Sequence, residues 1–371
     1  MRVSFNRSGL AEALGLVTSV VPSRTPKPVL RCVRIAAGAK DVTISATNLE
    51  VGLNYSISEV QVDRQGEVVV EANHLADIVK ESSEDVLVLE AKDNTCEIRG
   101  SDSRFTVYGQ DPKQYPKVPT LDEGEGDLAI SLEQLQTGIQ QSLFATAKES
   151  SRYAINGVLW EVKGKKLMLV ATDGRRLARC RVDLAKAPKQ ENSAQKIIVP
   201  AKTMALLEKL GSHDEETVAV KLVDNQILLR CANVVISSNL VEGNFPKYED
   251  IIPSDYDKKL SLTRELVLSG VRRAALLTSE ESKGIKLSVS GQKKTLVFSG
   301  SSPEAGAAEV SMPIEYDGEP IDIGFNPQFL IDVLRVMRAD AFELELGQSD
   351  RPGLVRCGAD FLYVLMPINL G

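Results

Sequence analysis

The apolar residues of this chain follow a strand-then-helix pattern that occurs three times. Alternation at residues 3–5 predicts a strand, and the apolar positions between 10 and 14 that follow have the spacing of a helix face. The same order recurs from residue 130 and again from residue 260. Near the three transitions lie polar residues of the types that cap helix starts: Asn6, Ser131 and Thr263.

A second strand–helix match lies deeper in each unit. The runs 68–70, 197–199 and 321–323 each lead into an amphipathic stretch. Two matches in the same order in three units argue against coincidence. Their period of about 125–130 residues is the size of a domain rather than of a solenoid repeat.

We therefore predict an α+β fold of three similar domains, each with two helices packed on one side of antiparallel sheet. The acidic, glycine-containing segment 122–126 and the segment 253–257 separate the domains. The predicted domains are residues 1–122, 127–253 and 258–371. The predicted helices span residues 8–20, 72–82, 132–148, 201–210, 263–277 and 326–339.

The charge of the chain is unevenly distributed. The 371 residues carry a formal net charge of -7, which taken alone argues against a nucleic-acid partner. The predicted helices nevertheless contain nine basic and seven acidic residues, so they are net positive while the rest of the chain is negative. Cations that face phosphates give weak, sequence-independent contact. The alternative is that these charges simply occupy exposed helix faces.

The sequence contains little that indicates catalysis. Its two histidines lie in different predicted domains, its five cysteines are dispersed, and no nucleophile elbow or phosphate-binding glycine loop occurs. We expect reduced thiols, no catalytic residue, no metal site and no cofactor. No stretch has the length of a membrane span and no apolar leader follows Met1, so we expect a cytoplasmic protein. An enzyme whose site is assembled from distant residues is a reading that stays open.

The segment 171–178 contains the most distinctive local pattern. Asp173 and Gly174 follow an apolar run and predict a tight hairpin turn, because glycine supplies a positive φ at little cost. Arg175, Arg176 and Leu177 come directly after it. Two arginines beside an apolar residue predict an exposed tip that binds a partner.

This segment closely resembles the signature of the bacterial DNA polymerase III beta subunit, the sliding clamp family. Four further segments resemble family motifs in family order and extend the resemblance over all three domains: residues 152–157, 198–200, 240–246 and 363–367. The resemblance implies three DNA-clamp domains per chain and a head-to-tail homodimeric ring whose helices line a hole for duplex DNA. It also implies a processivity factor that holds the replicative DNA polymerase on DNA, that a separate clamp loader opens, and that catalyses nothing itself.

The resemblance implies roles for individual residues. DNA contact is expected from Arg24, Arg152 and Tyr153, with Lys148 nearby and with Lys202 as a basic residue of a predicted helix. A cleft for peptides of the polymerase, the loader, other polymerases and repair factors is expected from Ile155, Thr172, Gly174, Arg175, Arg176, Leu177, Pro246, Ile251, Val364, Leu365, Met366, Pro367, Ile368 and Leu370. An apolar groove rimmed by arginine suits a peptide with one or two hydrophobic anchors and an acidic or polar flank.

Two positions depart from the family pattern. Arg175 stands where many members have histidine, and Asn369 stands where an arginine is common, with an additional Gly371 after it. Both departures bear on the fine specificity of the cleft.

The resemblance places the dimer seam between His74, Phe105 and Val107 of domain 1 and Leu276 and Leu277 of domain 3. A heterologous contact of this kind closes a ring when the rotation is right. Three domains cannot close a sixfold ring alone, so a second subunit is expected. The rival hypothesis is a monomeric repeat scaffold that binds peptides and never encircles DNA.

Overall fold

The computed structural model describes residues 1–148, 154–188, 195–211, 216–252, 256–278 and 284–369. Six α-helices occur in this part of the chain: α1 Arg7–Val17, α2 Ala72–Glu81, α3 Leu132–Ser142, α4 Ala201–Glu208, α5 Arg264–Ala275 and α6 Pro327–Val336. They confirm the six predicted helices and the predicted mixture of helix and antiparallel sheet. The largest difference is in α3, which ends at Ser142 and is followed by a 3-10 turn rather than continuing to residue 148.

The strands fall into three groups that follow the repeat. The first group is β1 Arg2–Asn6, β2 Cys32–Ala37, β3 Val42–Thr47, β4 Val51–Ile57, β5 Val60–Arg64, β6 Gly66–Glu71, β7 Val86–Lys92, β8 Thr95–Arg99 and β9 Arg104–Gln110. The second is β10 Leu128–Ser131, β11 Gly157–Lys163, β12 Lys166–Thr172, β13 Arg176–Lys186, β14 Gln195–Pro200, β15 Thr217–Val223, β16 Gln226–Cys231 and β17 Val234–Asn239. The third is β18 Lys258–Thr263, β19 Ile285–Ser290, β20 Thr295–Ser302, β21 Gly306–Pro313, β22 Ile321–Phe325, β23 Ala341–Leu346, β24 Gly353–Cys357 and β25 Phe361–Leu365.

The described residues form two compact units, and the first comprises Met1–Glu133, Leu184–Glu191 and Lys202–Leu240. One of its antiparallel sheets has the order β5-β1-β7-β8-β9. The other runs β6-β2-β3-β4-β17-β16-β15-β10. The pairing of β4 with β17 joins a strand of the first repeat to a strand of the second.

The second unit comprises Gln134–Asp183, Asn192–Ala201 and Val241–Gly371. Its larger sheet has the order β14-β11-β12-β13-β25-β24-β23-β18, and its smaller one β21-β20-β19-β22. Here β13 of the second repeat pairs with β25 of the third. The second repeat thus contributes strands to both units. The boundaries of the three predicted domains stay a prediction.

Helices pack on the sheets through their apolar faces. In α5 the buried residues Val267, Val271 and Ala274 recur at helix spacing. A β-carbon at Gly270 would lie 2.6 Å from the Phe298 ring of β20, so glycine is what lets α5 approach the sheet this closely. Burial of each large apolar side chain stabilises the fold by about 1.5–3 kcal/mol.

Side-chain caps explain the starts of α1 and α6. The Asn6 carboxamide accepts the Ser8 N–H at 3.0 Å, and Asn326 does the same for Gln328 at 2.9 Å. Thr263 stands at the start of α5 without a capping hydrogen bond from its side chain, so the capping expected of it is not formed.

The thiols and the helices of the described residues show two further features. Four of the five cysteines are buried and Cys357 is partly exposed, and all five are free thiols. Within the described ranges no helix has the length and apolar character needed to cross a membrane.

Candidate functional site

A tight turn connects β12 to β13 and forms the tip that the sequence singles out. The Thr172 hydroxyl donates to the Arg176 carbonyl at 2.7 Å and accepts the Gly174 N–H at 3.1 Å. The Asp173 carboxylate accepts the N–H groups of Arg175 and Arg176 at 2.9 and 3.1 Å. Gly174 has a φ of 85°, the left-handed conformation that favours glycine. Short polar side chains and one glycine therefore fix the tip.

The Arg176 guanidinium is held inside this unit by several partners. Its Nε donates to Asp173 at 2.9 Å and its Nη1 to Asp332 at 2.6 Å. Its Nη2 donates to the Phe144 carbonyl at 2.7 Å, and the group lies 4.4 Å from the centre of the Phe329 ring. The side chain is 10% exposed. Arg176 therefore ties the tip to α6, while Arg175 is left exposed.

The pairing of β13 with β25 brings the tip to the C-terminal segment. Leu177 lies opposite Val364 in this pairing, and the Met366 N–H donates to the Arg175 carbonyl at 3.0 Å. Leu177 and Val364 belong to a buried cluster that also contains Tyr248 and Leu354. Residues from three separate parts of the sequence thus form one wall.

Two open cavities lie along the C-terminal segment. The first, of about 690 Å³, is lined by Ile251 and Met366 among others. The second, of about 530 Å³, is lined by Pro367 and Ile368. Ile251 and Met366 are 37% and 38% exposed, which is unusual for large apolar side chains in this chain. Four residues expected in one cleft therefore border two neighbouring cavities.

The other expected cleft residues fall into three classes. Those buried in the wall behind the surface are Ile155, Thr172, Leu177, Val364 and Leu365. Pro246 and Arg176 are partly exposed, whereas Gly174 and Arg175 are fully on the surface. Leu370 lies outside the described residues.

The structure adds residues that sequence reasoning did not assign to this site. Phe329, Asp332 and Phe144 hold Arg176, and Tyr256 and Arg351 line the first cavity. Phe329 fits the apolar pattern of the predicted helix, which indicates a core residue of α6. The sequence contains no signal that its ring stacks on an arginine. Arg351 lies in a turn with no recognisable motif.

A buried carboxylate supports the same wall from behind. Glu161 is 1% exposed, accepts the Tyr248 hydroxyl at 2.8 Å, and faces the Lys163 and Lys196 ammonium groups at 2.8 and 3.2 Å. Burial alone would raise the pKa of Glu161, but the hydrogen bonds from Lys163, Tyr248 and Lys196 outweigh it and hold that pKa below its ordinary value.

The residues expected to contact DNA are placed as follows. Arg24, Lys148 and Lys202 have exposed side chains, and Lys202 lies in the first turn of α4. Arg152 and Tyr153 lie outside the described residues. Where the chain is described, the exposed cations of the predicted helices form no ion pair at Lys80, Lys148, Lys202, Lys209, Arg272, Arg273 and Arg335, of which Lys148 and Lys209 lie beyond the observed ends of α3 and α4.

The residues expected at a dimer seam lie near open sheet edges. In the first unit, residues 104–108 of β9 pair with β8 on one side, and β6 covers only Gly109 and Gln110 on the other. Phe105 and Tyr108 are 39% and 82% exposed, whereas Val107 is buried. His74 is exposed on α2.

In the second unit, β21 is one of the two edge strands of its sheet and pairs only with β20 among the described strands. Leu276, just after α5, is 78% exposed and Leu277 is partly exposed.

No group of metal-binding side chains converges anywhere in the parts of the chain that the structure covers. Tyr363 and the four buried cysteines all have a raised pKa, caused mainly by burial. Such shifts are those of core residues rather than of activated nucleophiles.

Comparison with known proteins covers the whole chain. Residues 1–119, 129–247 and 249–369 match, in order, the N-terminal, central and C-terminal domains of the DNA polymerase III beta subunit. The chain is 32% identical to the beta sliding clamp of Pseudomonas putida and 25% identical to that of Bacillus subtilis, with all of each chain covered.

Solved structures give the same result. A sliding clamp from Pseudomonas aeruginosa, bound to griselimycin, is similar with a TM-score of 0.91 at 32% identity, over all of both chains. A DNA polymerase sliding clamp from Bacillus subtilis is similar with a TM-score of 0.93 at 25% identity, over 100% of this chain and 99% of the other.

Proposed function

Because the chain belongs to the DNA polymerase III beta subunit family, we propose that it encircles duplex DNA as a head-to-tail homodimer and tethers the replicative DNA polymerase to its template. It acts as a DNA sliding clamp, a processivity factor rather than an enzyme. The observation that carries this conclusion is the ordered match of all three clamp domains along one chain. We also propose that it acts in the cytoplasm, together with the replicative DNA polymerase.

The distribution of unpaired cations supports contact with DNA. Cations on strands commonly have a carboxylate partner, as in Arg34–Glu67 at 2.6 Å and Lys166–Asp183 at 2.7 Å. The exposed helix cations named above have none among the described residues, so their charge is available to phosphates. A few weak, sequence-independent contacts retain DNA without fixing its position, which suits a protein that slides.

The open strand edges support the proposed dimer. An exposed strand edge presents unpaired N–H and C=O groups that another chain can pair with. Each chain has such an edge at β9 in one unit and at β21 in the other, with Phe105 and Leu276 exposed beside them. Two different edges on one chain suit a heterologous contact, which two subunits can close into a ring.

The exposed Ile251 and Met366 support a peptide-docking cleft in the second unit. Apolar anchors of a bound peptide gain free energy in a cavity of this kind. We propose that segments of the polymerase, the clamp loader, and other polymerases and repair factors dock there. Deletion of residues 366–371 is expected to weaken peptide binding and to leave the dimer intact.

Mass in solution and DNA topology test the ring together. We expect a species of twice the 40.4 kDa chain mass. Once loaded, it should stay on closed circular DNA in high salt and leave when the circle is cut to linear DNA. Retention that survives cutting, or a monomer that binds peptides equally well, would favour the rival repeat scaffold.

Single substitutions test the seam. Leu276→Arg is expected to give monomers of 40.4 kDa, since it places a charge in the apolar contact. Val223→Arg is the control, because Val223 is 40% exposed but lies on β15, which is neither of the two proposed seam strands. Dimers of Leu276→Arg at micromolar concentration would contradict the proposed seam.

A further inference from the structure

The first cavity along the C-terminal segment combines an apolar surface with charged residues that lack partners. Ile251 and Met366 provide apolar surface, while Asp250, Asp350 and Arg351 line the same cavity. All three charged residues are exposed, and none forms an ion pair within the described residues. A fourth charged residue, Asp257, is already neutralised by Lys258 at 2.8 Å.

The tip adds no paired or lining arginine to this cavity: Arg175 is exposed without an ion pair among the described residues, but it does not line the cavity. Arg176 is neutralised by Asp173 and Asp332, as described above. A peptide therefore meets less positive charge here than the sequence motif suggests. Among the described residues that line the cavity, the unpaired charges are two carboxylates and one guanidinium.

An unsatisfied polar atom lies behind the same wall. The Tyr256 hydroxyl is shielded from solvent and has no hydrogen-bond partner among the described residues. Glu345, whose charge adds to burial in raising the pKa of Tyr256, is already engaged by Lys259 at 3.3 Å and Arg356 at 3.2 Å. An unsatisfied polar group costs free energy, but this one is closed to solvent, so the exposed charges on the cavity rather than Tyr256 are available to a peptide.

We propose that this cavity selects a peptide segment that carries a basic residue beside its apolar anchor, and that Asp250 is the residue that determines this preference. The proposal rests on the proposed peptide-docking cleft and names the chemistry of its ligand. The apolar anchor packs on Ile251 and Met366, and the lysine or arginine of the peptide pairs with Asp250, with Asp350 adding to the negative field. Arg351 lies on the same cavity and disfavours a second basic residue, so one basic residue is selected rather than a basic run.

The chain offers a matched control next to the proposed determinant. Glu249 is also an exposed carboxylate, but it lies 3.7 Å from Lys196 and does not line the cavity. Glu249→Lys and Asp250→Lys therefore make the same change in net charge one residue apart. Only the second is expected to alter peptide preference.

The experiment is selection from a phage-displayed library of random peptides on the full-length protein. Peptides enriched on the unmodified chain are expected to carry an apolar pair and one adjacent lysine or arginine. Selection on Asp250→Lys is expected to replace that basic residue with aspartate or glutamate, and selection on Glu249→Lys to leave it unchanged. Enrichment of acidic flanks on the unmodified chain would overturn the proposal.

A double-mutant cycle quantifies the contact with one enriched peptide. Asp250→Lys, and exchange of the peptide's basic residue for glutamate, are each expected to weaken binding about threefold to fivefold at low salt, the range of exposed ion pairs. The two changes together should restore most of the affinity, and high salt should abolish the difference. If the combined change weakened binding by the product of the two single losses, Asp250 and the basic residue of the peptide would not interact, and the proposal would be overturned.

Met366→Ala separates failure of this inference from failure of the cleft. If enriched peptides bind Met366→Ala as well as the unmodified chain, the peptide-docking cleft itself is wrong. If Met366→Ala loses them but Asp250→Lys does not, the cleft stands and the preference for a basic residue is wrong.

Discussion

Leu49 and Gly174 occupy the same position in two equivalent hairpin turns, with φ angles of 77° and 85°. In each turn a threonine hydroxyl accepts the N–H of that residue, Thr47 at 3.0 Å and Thr172 at 3.1 Å. Glycine adopts this left-handed backbone at little cost, whereas leucine is strained in it. The turn between β3 and β4 therefore contains strain that the turn between β12 and β13 avoids.

Leu49→Gly is expected to raise the free energy of unfolding by about 0.5–1 kcal/mol, because relief of strain outweighs the greater freedom of glycine in the unfolded chain. Little packing is lost, since Leu49 is 48% exposed. Urea unfolding followed by circular dichroism measures the change. Leu49→Ala keeps the β-carbon and should bring no gain; equal gains from both variants would refute the role of strain.

Gly174→Ala is expected to lower the free energy of unfolding by about 1–2 kcal/mol. A β-carbon at Gly174 would meet nothing within 4 Å, so the cost comes from the backbone alone. Gly15→Ala is the matched control, because a β-carbon there also meets open space but Gly15 lies in α1. Alanine in a helix should stabilise the protein by up to about 1 kcal/mol. Changes of the same sign in the two variants would contradict this explanation.

Glu161 gives the stability a predictable dependence on pH. Because its pKa in the folded protein is below the ordinary 4.5, the ionised carboxylate stabilises the fold above that pH. The contribution is lost as the pH falls through the lowered pKa. Glu161→Gln is expected to lower the free energy of unfolding by about 1–2 kcal/mol at pH 7, because an amide accepts weaker hydrogen bonds than a carboxylate. The difference should become progressively smaller below pH 4.5, because the carboxylate of the unmodified chain is then protonated.

Urea unfolding between pH 3 and pH 7 tests that expectation. The control is Glu343→Gln, which removes an exposed carboxylate on β23 and should leave the pH profile unchanged. A difference between Glu161→Gln and the unmodified chain that stayed constant over this range would show that the carboxylate is not the titrating group.

The cysteines should differ sharply in reactivity. Burial raises the pKa of Cys32 to about 11 and those of Cys96, Cys180 and Cys231 to about 12, so these thiols are protonated and shielded near neutral pH. A maleimide at pH 7.5 is expected to label the folded protein once per chain, at Cys357. Intact mass gives the count, and Cys357→Ser should abolish labelling. Rapid labelling of a second thiol would contradict the burial described here.

Hydrophobic periodicity was sufficient to predict the six helices and the antiparallel sheets, because both depend on local patterns of buried positions. The end of α3 was predicted six residues too late, since residues 143–148 continue an apolar spacing. The structure ends the helix where the Ser142 hydroxyl donates to the Gly138 carbonyl at 2.7 Å. The spacing of apolar residues does not reveal where a side chain competes in this way for a backbone hydrogen bond.

The site was less predictable than the fold. The motif at 171–178 indicated a turn with arginines. It did not indicate that Arg176 would pair with Asp332 and stack on Phe329, because those residues are more than 150 positions away in the sequence. The segments at the ends of the first and second repeats, residues 114–121 and 244–251, also look alike in sequence, and Leu121 and Ile251 take the same place in them. Only the structure shows that Leu121 is buried with Leu228 and Val235, while Ile251 is exposed.

The open edges of β9 and β21 have a consequence for the opened form of the proposed ring. Each time one seam parts, a free edge is recreated on either side of the gap, and such edges pair with any extended segment within reach. The opened ring is then the form of the protein that associates most readily with other chains. The lifetime of this open form determines how often subunits from different rings are exchanged. A partner that opens the ring must shield these two strands as well as separate them.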